Sequence, residues 1–178
     1  MIAGILAVTL AACARTPVAA PADPPIDLRG FRVGPVSVLT LENVASDALD
    51  PSGLTDLLEA HGFTGASRRA YSAGIDQPIR TVRVEVVGFD GVSGARAYLD
   101  WLHEHAVELV GDVREEPRLD PPGAFVVSHA PSACCSKEQH IWLAAWQKGS
   151  RVVWMLMMGP EIRRDRVGEL VTRVDASL

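Results

Sequence analysis

From Val152 to Met158 the chain reads VVWMLMM, apolar at every position. A strand with one wet face alternates apolar and polar residues, so an unbroken apolar run needs cover on both faces. Just upstream, His140 to Gln147 forms a second largely apolar stretch, and Lys148-Gly149-Ser150 between the two is a tight turn. The pair predicts an antiparallel hairpin over His140–Gln147 and Arg151–Met158, with its second strand inside a larger sheet. Any fold for this chain must therefore supply further strands beside the hairpin and layers above and below it.

The rest of the chain supplies both. TVRVEVVGF, Thr81 to Phe89, sets Val82, Val84 and Val86 against Arg83 and Glu85, the alternation of a strand with one buried face. Ala124 to His129 reads as another strand and Arg68 to Ala73 as a weaker one. Arg32 to Leu41 is β-prone but broken by Gly34-Pro35, which suits a short or edge strand. Asp50-Pro51-Ser52-Gly53-Leu54 opens a short helix running through Ala60, and His61-Gly62 closes it. A longer helix is expected from Asp90, a good N-cap residue, to about Val110. Its apolar stripe is Val92, Ala95, Leu99, Leu102, Ala106 and Leu109, with Arg96, Asp100, Glu104 and Glu108 opposite. Gly159-Pro160-Glu161 starts a terminal helix that buries Val167, Leu170, Val174 and Leu178. This order predicts the α+β class: an antiparallel sheet with helices packed on it, a C-terminal β-hairpin, and a terminal helix after it.

The N-terminal part has a different character. Residues 2–12, IAGILAVTLAA, are uncharged and apolar, the length of a signal-peptide core and too short for a permanent span. The stretch ends at Leu10-Ala11-Ala12-Cys13, which resembles the lipobox of bacterial lipoproteins. The resemblance implies that residues 1–12 are a removable signal peptide and that Cys13 becomes the N-terminus carrying diacylglycerol. The two chains of diacylglycerol, or three where a further acyl chain such as palmitate is added to the amine, make a stable anchor, where one chain binds only marginally. Met1 to Leu10 contain no Lys or Arg, unlike a typical leader, which points to an upstream start codon. Residues 13–30, rich in proline and alanine, read as an extended tether, leaving 31–178 as a single α+β domain. The layout, with the fragments GARAYLDWL and AAWQKGSRVVWM, resembles the sheet-plus-helix domains of secreted actinobacterial lipoproteins of unassigned function. That resemblance carries no catalytic residue across.

Composition narrows the function classes. A net charge of -5 and the absence of any basic stripe argue against nucleic acid as a partner. No apolar run reaches the roughly 18 residues of a transmembrane helix, and no period recurs. Arginine outnumbers lysine fifteen to two, a skew of the kind codon bias produces, so abundance of arginine alone carries no argument.

The candidate sites are few. With Cys13 given to lipid, the adjacent Cys134 and Cys135 remain. Four readings stand for them: a vicinal disulfide stiffening a loop, an intermolecular bond, two free thiols, or metal ligation. His129 and His140 flank the pair as H-x4-C-C-x4-H, a donor set suited to zinc or monovalent copper. Against it, neighbouring cysteines in an extended chain point to opposite faces, and both histidines can simply end strands. His103, Glu104 and His105 lack the second histidine of a zincin motif, because position 107 is Val107, and they read as a solvated helix face. Trp142, Trp146 and Trp154 share one face if the hairpin loop has three residues, whereas a two-residue loop turns Trp154 to the other. They are core packing, or else an apolar ligand face for a lipid, glycan or peptide.

The sequence holds no G-x-S-x-G, S-x-x-K, P-loop or dinucleotide motif, so no catalytic residue and no cofactor is nominated. The expectation is a membrane-anchored, non-catalytic binding or interaction lipoprotein of the periplasm or cell surface. Its partner is an envelope protein, a lipid or a small ligand. The alternative is a thiol- or metal-handling envelope lipoprotein using Cys134 and Cys135 with His129 and His140.

Overall fold

A computed structural model describes residues 26–111, 113–117, 119, 121, 124–129 and 139–178. Strands β1 (Arg32–Leu39), β2 (Phe63–Ser72), β3 (Thr81–Phe89), β4 (Val113–Glu115), β5 (Phe125–His129), β6 (His140–Lys148) and β7 (Arg151–Gly159) form one sheet. All its pairs are antiparallel and its order is β1-β2-β3-β7-β6-β5-β4. The helices are α1 (Leu41–Ala45), α2 (Pro51–Ala60), α3 (Val92–Glu104), α4 (Ala106–Val110) and α5 (Arg164–Ser177). The fold is α+β, with the hairpin β6-β7 and a terminal helix as the pattern requires.

β7 occupies the middle of the sheet, where its uninterrupted apolar run is covered twice. On one face Val153, Met155 and Met157 join Val82, Val84 and Val86 of β3 beneath Val167, Leu170, Val171 and Val174 of α5. On the other, Val152 and Trp154 join Val87 and Leu143 beneath Tyr98, Leu99 and Leu102 of α3, with α1 and α2 completing the layer through Val44, Leu54 and Leu58. Each such side chain taken fully out of water contributes about 1.5–3 kcal/mol.

Several boundaries differ from the pattern-based expectation. The helix expected from Asp90 to Val110 is two helices, separated at His105, whose φ of -104° and ψ of 14° leave the helical region. There the His105 ring stacks on Trp101 with centroids 4.5 Å apart, and its Nδ1 lies 2.9 Å from the Trp101 carbonyl oxygen. Asp90 does not cap α3; the N-cap is Gly91, with no side-chain hydrogen bond. α5 starts at Arg164 because β7 continues to Gly159, where the segment 78–80 lies alongside: Arg80 N–H bonds Met158 O, and Glu161 N–H bonds Pro78 O. Only glycine allows that approach, since a Cβ on residue 159 would sit 2.1 Å from the Pro78 oxygen. β2 begins at Phe63, earlier than the sequence suggested, and α1 and β4 were not foreseen.

The packed structure also starts before Phe31. Ile26 and Leu28, assigned by composition to the tether, are each 1% exposed and belong to the core under α5. A turn closed by Phe31 N–H on Leu28 O, with Gly30 at φ 89°, leads from them into β1.

Candidate functional site

Across the face covered by α1–α4, register places Arg68 of β2 opposite Glu85 of β3, and Glu85 opposite Trp154 of β7. In the neighbouring row Ala70 faces Arg83, which faces Leu156. Two arginines and a glutamate thus enter a layer that is otherwise apolar. Glu85 is 1% exposed, and its Oε2 accepts from Arg68 Nε at 2.6 Å. Arg68 and Arg83 both donate through Nη2 to Asp47 Oδ2, at 2.5 and 3.3 Å. The Arg83 guanidinium lies 4.6 Å over the Trp154 ring, a cation–π contact in a desolvated setting. Its Nε is buried without a hydrogen-bond partner.

The electrostatics follow from burial. Removal from water pushes the Glu85 carboxyl above its ordinary range, and the charge and hydrogen bond of Arg68 offset this only in part. Arg83 is lowered, first by burial and then by the like charge of Arg68. For Arg68 burial acts downward, but Glu85 and Asp47 outweigh it and hold the guanidinium above its ordinary value. Burial, then the Glu85 charge, drives the Tyr98 hydroxyl well above its ordinary 10. The Trp154 indole N–H lies near that hydroxyl and opposes the shift, yet falls short of hydrogen-bond geometry.

Asp47, Glu85, Tyr98 and Trp154 of this cluster line a narrow cleft between the sheet, α1, α2 and the α3–α4 pair, together with Val44, Leu54 and Leu102, and Arg68 and Arg83 stand behind it, joined to it through Asp47. In this conformation it has room for about one water molecule. The turn joining α1 to α2 contributes Asp47 and Ala48 to its lining. Asp47 sits on that turn, and Leu49 N–H donates to Glu108 Oε2 of α4 at 3.0 Å.

The residues singled out from sequence lie elsewhere or on the far side. In the hairpin Lys148 pairs with Arg151, so the loop has two residues, Gly149 and Ser150. Trp142 and Trp146 consequently face α5, while Trp154, opposite Ala145, faces α3; the three do not share a ligand face. All three are buried, and Trp146 donates through Nε1 to Asp175 Oδ1 at 3.0 Å. His129 pairs with Ile141, the residue after His140, so the two histidines point to opposite faces of the sheet. Cys13, Cys134 and Cys135 fall outside the described residues. Among the described residues no group of three or more His, Cys, Asp or Glu side chains is placed to hold a metal ion. His103 is more than a solvated position: its Nε2 lies 2.5 Å from Glu115 Oε1 and its ring stacks on Phe125.

Sequence reading missed Arg68, Arg83, Glu85, Asp47 and Tyr98 as a group. One signal was present: position 85 shares parity with Val87 and Phe89, so the supposed wet face of β3 turns apolar two residues on.

No family model matches the chain, and no curated protein matches it. Its fold is similar to the crystal structure of the extracellular domain of PknH from Mycobacterium tuberculosis. The TM-score is 0.53 at 15% sequence identity, over 83% of this chain and 84% of that one. At that identity the likeness is one of fold.

Proposed function

We propose that the chain is a lipid-anchored, extracytoplasmic, non-catalytic binding domain whose cleft beneath the α1–α2 turn receives a small ligand. The observation that carries the reading is the ion cluster around Glu85. Buried charges contribute little to stability, and apolar residues of similar volume often serve the fold as well or better. A cluster of perturbed ionisable groups opening onto an aromatic-lined cleft is therefore better accounted for by recognition than by packing. The lipobox-like Leu10-Ala11-Ala12-Cys13 supports the location and the anchor. The fold likeness to a domain described as extracellular agrees with that setting.

Titration of the ectodomain with phenylacetamide, a neutral aromatic probe, tests the site through backbone amide shifts. The expected result is saturable change clustered at Val44, Asp47, Tyr98, Leu102 and Trp154. Changes scattered over the surface, or none up to millimolar probe, would remove the cleft from consideration.

A further inference from the structure

The next step rests on the cleft being a binding site and concerns what class of ligand it takes. Two guanidinium groups converge on Asp47, a residue of its wall. Arg68 is tied on its inner side to Glu85, and Arg83 is packed on Trp154 with its Nε–H unpaired. Both direct Nη2 at a single oxygen of Asp47. Asp47 is supplied by the α1–α2 turn, otherwise tied by Ala48 N–H to Ala45 O at 3.0 Å and by Leu49 N–H to Glu108. At the tip Leu49 is 81% exposed, an apolar side chain with no packing to hold the turn shut.

Convergent planar guanidiniums recognise carboxylates through paired N–H donors. Here the chain's own carboxylate occupies the place and leaves one donor of Arg83 unused. We infer that Asp47 is an internal stand-in, and that the cleft takes a small apolar acid whose carboxylate replaces Asp47 on Arg68 and Arg83. Replacement frees the turn and lets the apolar part of the ligand enter between Val44, Leu54, Tyr98 and Leu102. Exchanging one carboxylate for another is nearly neutral in charge, so selectivity between acids comes from the apolar surface buried. Protonation of Glu85 would leave two guanidiniums facing one carboxylate and strengthen the attraction for an anion.

Phenylacetate is the probe and phenylacetamide its neutral counterpart, titrated into wild type, Asp47→Asn and the double variant Asp47→Asn/Arg83→Gln. An internal competitor on a short tether acts at about millimolar effective concentration, so Asp47→Asn should bind phenylacetate about tenfold or more tightly than wild type. The double variant should lose that gain, and phenylacetamide, which brings no charge to the guanidiniums, should gain less from Asp47→Asn than phenylacetate does. Asp47→Ser removes the same carboxylate and serves if the asparagine variant folds poorly. Phenylacetamide bound in the cleft with phenylacetate no tighter in the Asp47 variants overturns the carboxylate assignment and leaves the cleft a binding site. Binding of neither overturns both.

Discussion

Glu85 shows how one side chain sets the behaviour of its surroundings. Its carboxyl is raised by burial, against the pull of Arg68, so the folded chain holds this proton more tightly than the unfolded chain, whose value is the ordinary 4.5. Unfolding therefore releases a proton between 4.5 and the raised folded value. The stability this carboxyl contributes is full below the unfolded value and is lost as pH rises through the folded one. Glu85→Gln abolishes the titration while keeping the volume. The unfolding free energy of wild type minus that of the variant should fall across the window, by about 1.4 kcal/mol for each unit of elevation. Chemical denaturation from pH 4 upward, at intervals of about half a unit, measures it; a difference that grows with pH would mean that Arg68 wins over burial. None of this was legible in TVRVEVVGF alone. Alternation says that Arg83 and Glu85 share a face, but whether that face is wet depends on α1 and α3, which come from other parts of the chain.

At the scale of elements, legibility tracked how local the cause was. The apolar run of β7, the Asp50 cap of α2 (Asp50 Oδ1 accepting from Gly53 N–H at 3.0 Å) and the stripe of α5 are properties of a few consecutive residues, and the fold keeps all three. Features that depend on a distant partner did not show. The β7–α5 boundary is set by the backbone at 78–80. The segment before β1 is the plainest case. Prolines and alanines upstream make residues 13–30 look like uniform tether, yet Ile26 and Leu28, linked by a tight turn in which Leu28 N–H bonds Ile26 O at 3.1 Å, both insert under α5. Leu28 is fully buried, at 1% exposure, so Leu28→Ala should cost about 2–5 kcal/mol by loss of transfer energy plus a cavity. Thermal unfolding of an ectodomain beginning at residue 24, with and without the substitution, checks this. A change under about half a kcal/mol, the usual range for surface positions, would return these residues to the tether.

For the whole molecule, that insertion shortens the link between fold and membrane. If Cys13 carries the lipid, at most the twelve residues 14–25 separate the anchor from the packed core, which begins no later than Ile26. Among the described residues the chain enters the core on the α5 side of the sheet, and the cleft lies on the opposite side. Ile26 and Leu28 enter the core under α5, whereas Asp47, Arg68 and Arg83 lie on the face covered by α1–α4. Among the described residues no helix is long and apolar enough to cross a membrane. Attachment on this reading rests on the acyl chains, which bind stably when two or more are present. Cys13→Ser should therefore abolish incorporation of labelled palmitate and move the protein from the membrane fraction to the soluble one. The released variant should melt as the wild-type protein does, because among the described residues both cores are built from residue 26 onward. Retained labelling would place the lipid elsewhere, and loss of label with retained membrane association would assign attachment to a protein partner. Either result would uncouple the α5 side of the sheet, where Ile26 and Leu28 enter the core, from the anchor.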